Sequence, residues 1–214
     1  MVFTRKLTDK ELEYLMKMEE FVRRAHAKSD SHDFSHVLSV TRYAIQIGKA
    51  IKDLVDPFVI VASALLHDIG KIDRKNANIH GFLGASIAEE FLESIDVSED
   101  MRTKISRTIV RHTPSSNIPP VTAEEKILFD ADCLDRLGLI GLIRGFIGKN
   151  GSMEEIMRSY MDKRKTDYSK LNYEISKEIG DWKHQELEGF IPLFEKRLDD
   201  RINSIKNIFD ELEF

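Results

Sequence analysis

The feature that most constrains this chain is the apolar run FVIVASALL at 58–66, which is preceded by Asp56-Pro57 and ends directly in His67-Asp68-Ile69-Gly70. Pro57 suits a first helical turn and Gly70 suits the residue just past a helix end, so the spacing predicts a helix with His67 and Asp68 at its C-terminus. The run is about half the roughly 20 residues that a membrane-spanning helix needs. A bilayer-spanning segment is therefore excluded here, and the run belongs to a folded core.

The rest of the chain repeats the helical period. Leu12, Leu15, Met16, Met18 and Val22 form a stripe close to the 3.6-residue repeat, with Thr8 as N-cap and Glu11 as its capping-box partner, which predicts a helix over about 9–27. Val37, Val40, Tyr43, Ala44, Ile47 and Ile51 predict a second helix with His36 in its first turn. Further stripes run through 82–94, 99–111 and 123–147, with loops at 71–80 and 113–121, where TPSSNIPP breaks any helix. No segment alternates with period 2 between hairpin turns, so the expected fold class is all-α. Residues 1–150 read as the core and 151–214 as a C-terminal helical extension of the same domain, ending in a pattern from Leu187 to Ile208.

Composition limits the partners. With 32 Lys+Arg against 37 Asp+Glu the formal charge is −5, so no whole-molecule basic field draws in nucleic acid or an anionic membrane, although KRK at 163–165 leaves nucleic acid open. The single cysteine, Cys133, closes no intrachain disulfide and makes no cysteine-based zinc site. The N-terminal segment lacks an apolar h-region, and a cytoplasmic protein is expected. A symmetric homodimer is compatible with the sequence and not specified by it.

Of seven histidines, His32, His36, His67, His80 and His112 lie in the first half, near helix ends or loops. Imidazole and carboxylate are the usual ligands of a borderline-hard divalent cation, and helical bundles build such sites from several elements converging at one mouth. Adjacent side chains on a helix diverge by about 100°, but at a frayed C-terminus His67 and Asp68 can turn toward one ion. The plain alternative for this pair is capping of the helix end. His26 and His184 have no neighbouring ligand candidates and read as structural or solvated.

These residues resemble a known family. The series His36, then LLHDIGK at 65–71, then FDADCLDRLG at 129–138 looks like the HD superfamily of metal-dependent phosphohydrolases, whose ligands come in the order His, His-Asp, Asp. The resemblance covers roughly residues 30–148 and is strongest to compact stand-alone hydrolases, whose last motif reads like DADRLDALGAIG. It implies an HD-domain helical bundle with His36, His67, Asp68 and Asp132 as metal ligands. His80 and His112 match the extra ligands of two-metal members, with Asp68 bridging the ions. The cofactor would be one or two divalent ions of Mn, Fe, Mg, Co, Ni or Zn. Cys133 stands where such hydrolases usually have Arg, which puts the contact made by that Arg in doubt.

The chemistry follows from such a set. A divalent ion lowers the pKa of bound water toward about 7, which suits hydrolysis of a phosphate ester or phosphoanhydride, with a nucleotide as the expected substrate. Asp68 and Lys71 are the candidate catalytic residues, since a lysine three residues on can neutralise phosphoryl charge. Lys71, Arg111 and Arg136 are candidate substrate contacts, and His32, Asp73 and Asp135 candidate supports behind the ligands; for each, an ordinary surface charge or ion pair is the alternative. Gly138, Gly141, Gly145 and Gly148 leave one face of the expected helix 123–147 nearly bare, for close packing or for a ligand. HD-I-G-K, where some nucleoside monophosphatases have HD-x-x-E, keeps a ribonuclease or cyclic-nucleotide phosphodiesterase in view. A non-catalytic nucleotide sensor is the other alternative. Kinase, dehydrogenase, serine-hydrolase and zincin motifs are absent.

Overall fold

The computed structural model describes residues 3, 5–27, 34–72, 79–113, 118–147, 149, 151–206 and 208. Among them the chain is all-α: α1 Asp9–Ala25, α2 Phe34–Ala50, α3 Pro57–Leu66, α4 His80–Ser94, α5 Glu99–Val110, α6 Ala123–Arg136, α7 Gly138–Phe146, α8 Met153–Lys165 and α9 Glu174–Lys206. A 3₁₀ turn, Ile69–Ile72, follows α3, and a second, Tyr168–Lys170, precedes α9. No described helix is long and apolar enough to cross a membrane.

Local chemistry sets the helix starts. Thr8 and Glu11 form the expected capping box on α1, and Thr122 with Glu125 forms another on α6. At α3 the Asp56 carboxylate accepts from the backbone N–H groups of Phe58 and Val59, and Pro57 occupies the first turn, where its missing N–H costs nothing.

The apolar run of α3 has a structural cause. Ile60 and Ala64 face one core cluster, with Val40, Ile47, Leu128 and Leu134, whereas Phe58, Ala62, Leu65 and Leu66 face a second, with Met18, Val22, Leu92 and Ile109. A helix packed on all sides must be hydrophobic all round. Its C-terminal end, and with it His67-Asp68, therefore sits between the two halves of the molecule. The first cluster also takes in Met161, Leu171, Leu187 and Ile191 from the C-terminal segment.

The expected single helix over 123–147 is two. Leu137 is extended and Gly138 has φ +78°, a left-handed value that glycine adopts at little cost, so the chain turns between α6 and α7. The glycines therefore do not line one bare face. A Cβ on Gly141 would lie 2.2 Å from the Arg136 carbonyl oxygen, and one on Gly145 would strike the Tyr160 ring of α8 at 2.0 Å. Close packing is the function of Gly141 and Gly145; Gly148 lies outside the described residues. The continuous apolar pattern hid the break, because both helices present apolar residues to the same neighbours.

Candidate metal centre

Six polar side chains converge at the end of α3. His67 is the residue that ends α3 and Asp68 follows it; His36 comes from the first turn of α2, His80 opens α4, His112 follows α5, and Asp132 lies in α6. All six are buried. One donor atom each from His36, His67 and Asp132 lies within 4.8 Å of the others, and the same holds for Asp68, His80 and His112.

Asp68 joins the two groups. Its Oδ2 is 3.2 Å from His36 Nε2 and 3.5 Å from His67 Nε2, while its Oδ1 is 3.4 Å from His112 Nε2. The imidazole rings form a chain in space, with centroids 5.1 Å apart for His36 and His67, 5.2 Å for His67 and His112, and 5.3 Å for His80 and His112.

Three of the rings are oriented from behind. His67 Nδ1 donates to the Ala64 carbonyl at 2.8 Å, His112 Nδ1 to the Ile109 carbonyl at 2.6 Å, and His36 Nδ1 to Asp135 Oδ2 at 2.7 Å. Each outer bond fixes the tautomer and leaves an Nε2 lone pair aimed inward. His67 Nε2 and His36 Nε2 are 3.2 Å apart, and His112 Nε2 is buried with no hydrogen-bond partner. Converging lone pairs and carboxylates could hold a cation between them, and this donor set fits a borderline divalent ion.

The electrostatics agree. Burial, helped by the nearby His36 and His112, pushes the His67 imidazole down to about 3, which keeps it in the neutral form that binds metal. For Asp132 burial opposes ionisation, but Arg136 and Lys71 outweigh it and hold the carboxyl well below the usual range. Asp135 is likewise held low against burial by its bond to His36 and by Arg144. His36 is raised because its bonds to Asp135 and Asp68 outweigh burial.

The proposed supporting residues divide. Lys71 Nζ sits 2.8 Å from Asp68 Oδ2, and Asp135 contacts His36. Arg136 is turned inward, 3.4 Å from Asp132 Oδ2 and 3.8 Å from Asp167 Oδ2, and donates to the Cys133 sulfur at 3.0 Å. A guanidinium thus stands beside Asp132 although position 133 is a cysteine, whose thiol burial pushes up to about 12. Arg111 makes its polar contacts with the Pro119 carbonyl and Glu125. His32 and Asp73 lie outside the described residues. His26 is buried, and His184 stacks on Tyr168 with centroids 4.2 Å apart.

Sequence reading missed three charged residues. Arg144 of α7 pairs with Asp135, and Arg164 of α8 pairs at 2.9 Å with the buried Asp167, which faces Arg136. The only hint was Arg144 interrupting an apolar stretch.

Comparison with known proteins agrees with this geometry. The HD-domain family matches residues 33–137, which include all six converging side chains, from His36 to Asp132. The YpgQ protein of Bacillus subtilis (strain 168) is 25% identical over 182 residues, covering 79% of this chain and 85% of that protein. Among solved structures, B. subtilis YpgQ in complex with ADP superposes with a TM-score of 0.68 at 21% identity, over 88% of this chain and 96% of that one. An HD-superfamily hydrolase from Bacillus thuringiensis gives 0.66 at 24% identity, over 88% and 98%. The Lin1889 protein of Listeria innocua gives 0.64 at 26% identity, over 88% and 97%. Residues 33–137 of this chain thus form an HD domain.

Proposed function

We propose that this HD-domain chain is a phosphohydrolase that binds two divalent cations and cleaves a phosphoanhydride or phosphate ester of a nucleotide. The observation that carries the reading is the pair of three-residue groups, His36/His67/Asp132 and Asp68/His80/His112, with Asp68 Oδ1 toward His112 of its own group and Oδ2 toward His36 and His67 of the other. His36, His67 and Asp132 would hold one ion, His80 and His112 the other, and Asp68 both. Manganese is the first ion to test, because imidazole and carboxylate accept Mn, Fe, Co, Ni and Zn alike.

Ions so held supply Lewis acidity toward phosphoryl oxygens and an acidified water at neutral pH. The chain's own residues do the rest. Lys71, half-buried at the mouth, balances Asp68 and is within reach of a phosphoryl oxygen that competes for its ammonium. Arg136 keeps Asp132 ionised and oriented and is therefore a positioning group before it is a substrate contact. Arg111 retains a substrate role only if its Glu125 contact opens. Residues 1–150 and 151–214 act as one domain in this reading, because Asp167 and Arg164 brace Arg136. The single cysteine suits a cytoplasmic setting.

ADP in the YpgQ complex supports a nucleotide substrate. The test is release of phosphate or pyrophosphate from mono-, di-, tri- and cyclic nucleotides with added Mn²⁺, beside oligonucleotide cleavage. Turnover of free nucleotides is expected. Cleavage confined to oligonucleotides would move the assignment to a nuclease, and tight nucleotide binding without turnover would move it to a sensor.

A further inference from the structure

A cleft of about 380 Å³ opens between α2 and α7, lined by His36 of the buried cluster and by Asp135 behind it. Its far wall is apolar. Ile140 and Ile143, three apart on one face of α7, and Ile147, the extended residue that ends it, remain 78%, 55% and 45% exposed. Three neighbouring exposed isoleucines make an apolar patch whose covering is favourable.

The other wall is polar. Ser39 of α2 and the guanidinium of Arg144 line it, and Arg144 is pinned in place by Asp135. A planar guanidinium stacks on aromatic faces, aliphatic walls accept the same faces, and a hydroxyl meets the polar edge. The combination suits a flat ligand with apolar faces and a hydrogen-bonding rim. Pockets of this size and lining, with few convergent polar groups, are those that take small molecules.

We infer that this cleft receives the nucleobase of the substrate, with the isoleucine face of α7 on one side and Arg144 and Ser39 on the other, while the phosphates lie at the His/Asp cluster. The inference rests on the proposed nucleotide phosphohydrolase reading and adds to it a base-binding subsite. His36 lies between the two regions, its Nε2 toward the cluster and its Nδ1 toward Asp135 on the cleft side, so one imidazole ring separates them.

The test is calorimetric binding of ADP and, separately, of inorganic pyrophosphate to the full-length Mn²⁺-loaded protein and to Ile143→Asp. A carboxylate on the apolar wall is expected to weaken ADP binding about tenfold or more, which corresponds to about 1.4 kcal/mol, and pyrophosphate binding less than twofold. Equal losses for both ligands, or unchanged ADP affinity, would overturn the subsite. Ile140→Ser, at the most exposed of the three positions, repeats the test should Ile143→Asp fail to fold. Light scattering on the same samples covers the rival occupant: a dimer that becomes monomeric in Ile143→Asp, with ADP affinity intact, makes this face a contact between copies and also overturns the subsite. ADP affinity that falls selectively in a chain that hydrolyses no nucleotide would uphold the subsite and refute hydrolysis.

Discussion

Around His36 and Asp132 the supporting layer is charged, whereas the rings of His67 and His112 are held by main-chain carbonyls and α4, which His80 opens, is packed against its neighbours by backbone. Asp135 holds His36 and is itself held by Arg144; Arg136 holds Asp132 and is backed by Asp167 and Arg164. On the other side, the 3₁₀ turn presses directly onto α4, since a Cβ on Gly70 would lie 2.3 Å from the His80 carbonyl oxygen and 2.5 Å from the Gly84 nitrogen. A Cβ on Gly81 would lie 3.2 Å from the Val110 carbonyl oxygen, so α4 is equally close to the end of α5 that leads into His112. Charged braces are strong while complete and costly when one partner is lost. Backbone contact needs no partner but tolerates no added atom. The two halves therefore fail to different substitutions.

The largest effect comes from the residue that belongs to both halves. Asp68→Ala is expected to abolish occupancy at both ions and to lower turnover by at least about 10²–10³-fold, measured by metal content and phosphate release side by side. Full turnover with no bound metal would end the assignment.

Asp135→Asn separates the halves from the charged side. His36 loses its anionic acceptor, and affinity for one of the two ions should fall about 10–100-fold, as outer-layer changes do. The other ion should bind as before, so a Mn²⁺ titration becomes clearly biphasic. A uniform loss at both sites would mean that the halves are not independently supported.

Gly70→Ala attacks the main-chain side. The methyl group must displace α4, with a stability loss of about 1–3 kcal/mol and preferential weakening of the ion held through His80. Urea unfolding and the same titration report both. An unchanged midpoint would show that the turn and α4 are not in close contact.

The smallest effect lies away from both halves and serves as their control. Glu11 is held below the ordinary carboxylate range by its hydrogen bond to Arg5, which also reaches Asp56 at 2.6 Å. Its folded pKa lies below the unfolded value near 4.3, so this pair stabilises above that pH and the contribution disappears as the pH falls through the folded pKa. Glu11→Gln should cost about 0.2–1 kcal/mol at pH 7, the deficit should shrink toward pH 3, and metal binding should not change.

Much of the converging His/Asp cluster was readable because it lies in short motifs. LLHDIGK fixes two groups by adjacency to an apolar helix, and His36, His80, His112 and Asp132 each sit at a helix start, a helix end or within a recognisable pattern. The cap at Thr8 and the first-turn Pro57 were equally local. What escaped was long-range or steric. Asp167 lies 35 positions after Asp132 in a polar segment without periodicity, and its burial depends on how α8 returns to α6. Gly70 read as a helix-ending glycine, yet its backbone is not among the positive-φ glycines of the described residues; it is required by contact with α4, which no local pattern encodes. The break at Leu137-Gly138 was hidden for the same reason, because apolar spacing continues through it.

The central claim, two cations sharing Asp68, is tested most directly by titrating Mn²⁺ into the chelator-stripped full-length protein and into its His112→Ala variant. About two ions per chain, reduced to one in the variant, is the predicted result for a two-metal site. A single ion in the unaltered chain, or a stoichiometry that His112→Ala leaves unchanged, would contradict it.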